Sequence, residues 1–391
     1  MFQLPFFKTR AEKFLVVRVG PEKISALSFA LTPRRALSFL KFHNPLRIED
    51  FSRRAKFPRD ECQVVVSVHP AMVHRTVIPV GFRRTDAARP LESHEVENAF
   101  GQAVSRVLNE MRADASRALG TADIDTMLIA SRVENFAVDG HHVVRPAGFP
   151  ARDVRAEIEL TFTSRNLYER LHPLIQAQKF FFTDHARAGI RALLKMHRPP
   201  VGLVGGGDER ALCCTYELKG GKPYVRVREL NWSARAFPGN IAEAWGVSNA
   251  VAETIYARYL KKEISEPLTR RLRAVLAPAV QSFFSLVRRA GARGRVFLSL
   301  PCDVPFTMPH RRGGAIFEEP SLPMLFETTG IALAPEAWPL SAHGLFAHLT
   351  PFLEFYHDKG DMMFNHWLER RLHWLGVAGG ENRPRTFADI L

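Results

Sequence analysis

The sequence predicts an α/β protein with more than one sheet. Short alternating apolar runs, punctuated by glycine and proline, recur in both halves of the chain. Between them lie stretches whose apolar residues repeat at spacings of three or four, the period of a helix with one buried face. A length of 391 residues with 46% hydrophobic content can bury a large core and is expected to divide into two or more subdomains.

In chain order, Phe14 to Ala30 reads as two strands around the tight turn Gly20-Pro21-Glu22-Lys23, and Cys62 to Val80 reads as a second strand pair. An amphipathic helix starts near Ser93, with Val96, Phe100, Val104, Leu108, Met111 and Ala115 on its core face and Gly120 as its stop. Val154 to Thr163 alternates as a strand. A helix over Leu167 to Gln178, a strand over Phe180 to Phe182 and a helix over His185 to Met196 follow. The apolar run Val201 to Val204 ends in the triplet Gly205-Gly206-Gly207, succeeded by Asp208-Glu209-Arg210. Strands at Ala211 to Leu218 and Tyr224 to Leu230 are joined by a Gly-Gly turn. Helical stretches near Asn240 to Lys261 and Pro267 to Ala290, the second expected to kink at Pro278, lead to a strand at Arg295 to Leu300.

Composition narrows the function classes. Cys62, Cys213, Cys214 and Cys302 form no CxxC pair, so neither a zinc site nor a disulfide framework is signalled, which fits a reducing cytoplasm. No apolar run approaches the roughly 18 residues of a membrane span, and the N-terminus lacks a secretory pattern, so a cytoplasmic location is expected. His343 and His348 miss the four-residue spacing of a helical metal pair, no GxSxG or Cys-His pattern appears, and neither a metal site nor a catalytic residue is expected. The formal charge of +14 implies an acidic partner, either nucleic acid or an anionic membrane face. No helix-turn-helix, finger or stacking signature favours nucleic acid, which is not an expected partner.

Two stretches bear on a membrane. Pro267 to Gly291 sets Arg270, Arg271, Arg273, Arg288 and Arg289 against Leu272, Leu276, Phe283 and Phe284, and its default reading is a core-facing helix with a solvated basic face. Asp361 to Leu375 predicts a helix between an Asp cap and Gly376, with Phe364, Trp367, Leu368, Trp374 and Leu375 on one half and Arg371 among them. Arg371 can snorkel and the Trp rings suit a headgroup boundary, so these six residues are candidate membrane contacts; docking on the protein's own core is the alternative.

These residues together resemble a family, the bacterial actin-like division protein FtsA with its relative, the pilus protein PilM. The most specific stretch is Phe136 to Phe149, FAVDGHHVVRPAGF, in which Val138, Asp139, Gly140, Pro146, Gly148 and Phe149 match and Arg145 replaces an Asn. Leu230 to Glu253 and Ala342-His343-Gly344-Leu345 are similar to the family's segment after its second phosphate hairpin and to its closing helix. The resemblance implies an actin-like ATPase (ribonuclease H-like) two-lobed fold with an FtsA-type inserted subdomain. It divides the chain into 1–83 and 165–200 in the first lobe, 84–164 as the insertion, 201–330 as the second lobe with a shortened outer part, 331–358 returning to the first, and 359–391 as helix and tail.

The resemblance also implies a nucleotide site, in which glycine turns bring backbone N–H groups to phosphates while flanking acids hold magnesium and water. Carried over, Gly20, Lys23, Gly205, Gly206, Gly207, Asp208 and Glu253 are what remains of it. Arg18 and Leu203 stand where the family places acids, Arg210 follows where another is usual, Asn240 replaces an Asp, Tyr256 a Lys, and Leu298 to Cys302 replaces a glycine loop at the base. ATP with magnesium is the family's cofactor, yet with these acids gone none is expected here. The implied partners are the inner membrane surface, a tubulin-like division protein or pilus assembly proteins, and further copies of the chain. Three readings follow: an FtsA-like membrane-associated adaptor without ATP hydrolysis, a PilM-like pilus assembly component, or a working ATPase with Asp208 or Glu209 as displaced metal ligands.

Overall fold

A computed structural model describes residues 11–21, 23–47, 62–175, 180–206, 210–219, 222–300, 303–334 and 338–357. By internal contacts the chain forms two compact units. The first comprises Met1–Arg47, Pro58–Ser67 and Thr183–Tyr356, and the second Ile48–Phe57, Val68–Phe182 and His357–Leu391.

The first unit begins with the meander β1 (Glu12–Val19), β2 (Lys23–Leu31) and β3 (Ala36–Arg47). β1 pairs antiparallel with β2 from Glu12↔Leu31 to Val19↔Ile24, the register set by the short Gly20–Pro21 turn. β4 (Cys62–Val68) follows β3. The second unit then interrupts this sheet in sequence with β5 (Val73–Arg83), α1 (Ser93–Leu119), β6 (Thr126–Val138), β7 (His141–His142), β8 (Asp153–Ser164) and α2 (Arg165–Ile175). β9 (Phe180–Asp184), α3 (His185–Met196), β10 (Val201–Gly206), β11 (Ala211–Lys219) and β12 (Lys222–Leu230) come next. Helices α4 (Ala236–Trp245), α5 (Asn249–Leu260) and α6 (Glu266–Arg289) lead to β13 (Gly294–Ser299), β14 (His310–Arg312) and β15 (Ala315–Glu318). The described chain closes with α7 (Leu322–Thr329), β16 (Ala332–Leu333) and α8 (Ala342–Tyr356).

The sheets run β16-β3-β2-β1-β4-β9 and β12-β11-β10-β13-β15-β14. Numbered in chain order within each sheet, the strands run 6-3-2-1-4-5 and 3-2-1-4-6-5, so both share the order 3-2-1-4: two antiparallel hairpin steps, then a return to the first strand's other side. β13 is parallel to both β10 and β15, and the helices α4, α5 and α6 make the long crossover that parallel pairing requires. This shared 3-2-1-4 order, found once in each sheet, accords with the actin-like, ribonuclease H-like fold class. α8 packs on the first sheet through Phe352, whose ring lies 4.8 Å from Phe14 and 4.9 Å from Phe29.

The second unit is a four-stranded sheet, β5-β8-β6-β7, covered by α1. Val96, Phe100, Val104, Leu108 and Ala115 of α1 are buried as their spacing predicts, and Met111 packs at the margin. Phe100 meets Phe136 edge-on at 5.6 Å. Asp139 (φ 48°) and Gly140 (φ 87°) form a two-residue hairpin turn between Val138 and His141, and both left-handed conformations match the Asp-Gly sequence. The Asp139 carboxylate secures that turn by accepting from the Asp153 N–H at 2.7 Å.

Two element expectations are corrected. The strands of Cys62 to Val80 do not pair with each other: β4 joins the first sheet and β5 pairs with β8, because the Pro70–Met72 turn intervenes. The helical stretch Asn240 to Lys261 is two helices, since Gly246 (φ 63°) ends α4 in a left-handed cap and the Ser248 hydroxyl caps α5 through the Val251 N–H. α6 runs through Pro278 and buries Leu272, Leu276, Phe283, Phe284 and Val287, leaving its arginines exposed.

Candidate functional site

The Gly20 N–H donates to the Lys23 carbonyl at 2.9 Å, so both residues belong to one closed turn. Lys23 opens β2 opposite Arg47 with its side chain exposed. Gly205 and Gly206 end β10. A Cβ on Gly206 (φ 152°) would stand 2.6 Å from the Arg210 carbonyl and 2.7 Å from the Ala211 Cα, so position 206 accepts only glycine. Glu253 is exposed on α5. These residues therefore stand on three separate elements. Gly207 and Asp208 lie outside the described residues, as do the candidate membrane contacts Phe364, Trp367, Leu368, Arg371, Trp374 and Leu375.

The positions where the resemblance implies acids or a lysine each make contacts of their own. Leu203 is 6% exposed, and its Cδ2 occupies the space beside Gly189 of α3, only 2.2 Å from where a Cβ on that glycine would be. A missing side chain at Gly189 thus makes the seat for Leu203. Arg210 reaches across to Glu229 at 3.0 Å. Asn240 donates to the Ala236 carbonyl of its own helix at 2.7 Å. Tyr256 is buried, stacks on Phe237 at 5.9 Å and donates its hydroxyl to the Asp303 carbonyl at 2.9 Å. Among the described residues no three His, Cys, Asp or Glu side chains converge as metal ligands.

Arg18 is the most unusual of these positions. Part of the side chain is exposed, but Nε is shut off from solvent and has no hydrogen-bond partner. Burial lowers the guanidinium to about 10, so it keeps its charge at neutral pH. Its cross-strand neighbour is Ser25, whose hydroxyl lies 3.0 Å from His348 Nε2. His348 Nδ1 lies 2.8 Å from the Gly344 carbonyl. A carbonyl only accepts, so Nδ1 carries the proton and Nε2 accepts from Ser25. Burial, reinforced by the Arg18 cation, pushes the imidazole down to about 3.

This histidine makes stability depend on pH. Between its unfolded value near 6.5 and about 3, the unfolded chain binds a proton that the folded chain excludes. Its contribution is therefore complete above about 6.5 and is lost as pH falls toward 3, at up to about 1.4 kcal/mol per pH unit. Melting temperatures of the wild type are expected to fall between pH 7 and about pH 4.5, more steeply than those of His348→Gln; equal slopes would remove His348 as a cause.

A second polar cluster gave no local signal in the sequence. Glu354 of α8 accepts from the Thr183 hydroxyl and from Arg187 Nε, both at 2.6 Å, with Arg191 at 3.2 Å. Asp184 caps α3 by accepting the Arg187 N–H at 2.8 Å. Thr183, Asp184, Arg187 and Glu354 are all buried. Arg187 and Glu354 are separated by 167 residues, beyond the reach of any spacing rule.

No family model matches the sequence, and no curated protein matches it. Among solved structures, the chain is similar to the PilM–PilN type IV pilus biogenesis complex at 13% identity and a TM-score of 0.44, covering 87% of this chain and 96% of that one. It is similar to the ethanolamine utilization protein EutJ from Carboxydothermus hydrogenoformans at 12% identity and a TM-score of 0.35, covering 90% and 91%. A third is a protein of Bacteroides thetaiotaomicron with an actin-like ATPase fold and unknown function, at 8% identity and a TM-score of 0.34, covering 78% and 86%.

Proposed function

We propose that this chain is an actin-like scaffold that does not hydrolyse ATP and acts as a membrane-associated adaptor in an assembly of the division or the pilus type. The observation that carries the reading is Leu203 seated against Gly189 where a metal-binding acid would be needed. Hydrolysis in this fold class needs carboxylates to hold magnesium and the attacking water. The described residues do not fit that ion: an apolar side chain fills one of the positions the resemblance gives to a ligand, and the Arg18 cation, its Nε shut off from solvent, stands at another. The closed Gly20 turn and the glycine-only position at Gly206 support descent from a phosphate-binding site.

Membrane association is supported by the apolar half of Asp361 to Leu375 and by the charge of +14. No described helix is long and apolar enough to cross a membrane, so the contact proposed is peripheral. The division and pilus readings rest equally on the sequence resemblance. Flotation of the purified full chain with vesicles tests the membrane part. Binding to vesicles containing phosphatidylserine, and not to phosphatidylcholine vesicles, is expected. Absence of binding to both would overturn it.

A further inference from the structure

The second sheet ends in an open edge. β12 stands first in the order β12-β11-β10-β13-β15-β14 and has one strand neighbour, β11. Its register runs unbroken from Ala211↔Leu230 to Lys219↔Lys222, so no bulge turns the edge away. The other described edge strands are blunted: β16 and β7 have two residues, β14 three and β9 five, while β5 carries Pro79 in its interior. In β12 the one proline, Pro223, is the second residue.

The main chain of β12 turns alternately to its neighbour and to the edge. The Ala211 N–H donates to the Trp232 carbonyl at 2.9 Å, so Ala211 faces the β12 side, and at a period of two so do Cys213, Thr215 and Glu217. Their register partners Arg228, Arg226 and Tyr224 face back. Val225, Val227 and Glu229 therefore turn their main-chain groups to the open side.

The two faces of this edge differ in chemistry. Leu203, Cys214 and Val227 are in register across three strands and share the face that α3 covers at Gly189. The cover stops short of the edge: Cys214 is 1% exposed, whereas Val227 is 40% and Val225 51% exposed. Arg226 and Arg228 stand on the opposite face, in line with Thr215 and Cys213. Arg228 donates to the Arg289 carbonyl at 2.9 Å and Arg226 to the Tyr224 hydroxyl at 3.1 Å. Neither has a carboxylate within ion-pair distance among the described residues. Glu217, on the same face of β11, is paired with Lys219 at 3.3 Å.

We propose that β12 takes up an extended segment of a partner protein as an additional antiparallel strand, with apolar side chains beside Val225 and Val227 and carboxylates beside Arg226 and Arg228. A strand laid along this edge sends successive side chains to opposite faces, so one alternating apolar–acidic sequence meets both requirements. The open main-chain groups select an extended chain, and the cations without carboxylates select acids on one of its faces. A second copy of β12 does not fit. Antiparallel pairing of two such strands centred on Val227 sets Arg226 opposite Arg228, and centred on Val225 it sets Arg228 opposite Lys222; like charges directly opposite destabilise a ladder. The inference gives the scaffold a protein-binding edge and does not depend on membrane association.

Fluorescence anisotropy of labelled, end-capped peptides titrated with the full chain tests it, using an alternating Glu-Val peptide and its Lys-Val counterpart. The wild type is expected to prefer the Glu-Val peptide by on the order of tenfold. Val227→Pro removes an edge-facing N–H and no bond to β11, and is expected to weaken Glu-Val binding on the order of tenfold. Arg226→Glu/Arg228→Glu is expected to reverse the preference toward Lys-Val, a gain that a misfolded variant cannot produce. Wild-type binding of neither peptide, or of both equally, refutes the proposal. Unchanged Glu-Val binding by Val227→Pro, or a preference that charge reversal leaves in place, puts the peptide elsewhere and refutes it too. Dimerisation of the wild type in sedimentation, abolished by Val227→Pro, would assign the edge to a second copy and overturn the proposal. None of these measurements contains vesicles, so failure here leaves the membrane reading to its own test.

Discussion

Glu354→Ala is expected to destabilise the chain by about 3–5 kcal/mol, the range for removing one partner of a buried ion pair. The carboxylate is enclosed and both its oxygens are used, one by Thr183 and the other by Arg187 and Arg191. Its loss strips a buried guanidinium and a buried hydroxyl of their acceptor at once. The pair also fixes α8 against α3, so the effect is cooperative with the packing of both helices. Arg187→Met/Glu354→Leu, which removes both charges and keeps volume, is expected to lie much closer to the wild type. Urea midpoints at constant slope measure both. A single-variant cost below about 1 kcal/mol would show that the carboxylate is not a structural centre.

Leu203→Asp, which supplies the acid the resemblance implies there, is expected to cost on the order of 3–5 kcal/mol and to confer no magnesium binding. The cost combines loss of a buried leucine contact with burial of a carboxylate among apolar atoms. Gly189 leaves a recess shaped for a branched aliphatic side chain, and the shorter aspartate would face Phe297 and Cys214 across the strand register. Gly189→Ala approaches the same contact from the other side and is expected to overpack it by about 1–3 kcal/mol. Urea unfolding reports both costs, and magnesium titration followed by tryptophan fluorescence reports any ion bound. A stable Leu203→Asp protein that took up the ion would mean that the site is only one substitution from function.

The features legible in the sequence are those with short-range causes. The Gly20–Pro21 turn, the Asp139–Gly140 hairpin and the helix ending at Gly120 were readable because backbone conformation and residue type decide them together. β3 escaped because Pro45 and His43 break its alternation, and β6 because it carries Arg132 and Glu134 and bulges against β8. Gly246 split a helix that apolar spacing alone read as continuous. At the candidate site, the resemblance pointed to Arg18, Leu203 and Asn240 as departures from the residues it implies. It did not show what they do instead, because Gly189, Ser25, His348 and Ala236 are brought to them by folding.

Isothermal titration of the full chain with ATP, with and without magnesium, tests the central claim most directly. The proposed scaffold reading predicts that magnesium adds no affinity and that no phosphate is released over many hours. Tight binding that requires magnesium, is abolished by Lys23→Ala and is accompanied by turnover would contradict it, and would make this chain a working ATPase with displaced ligands.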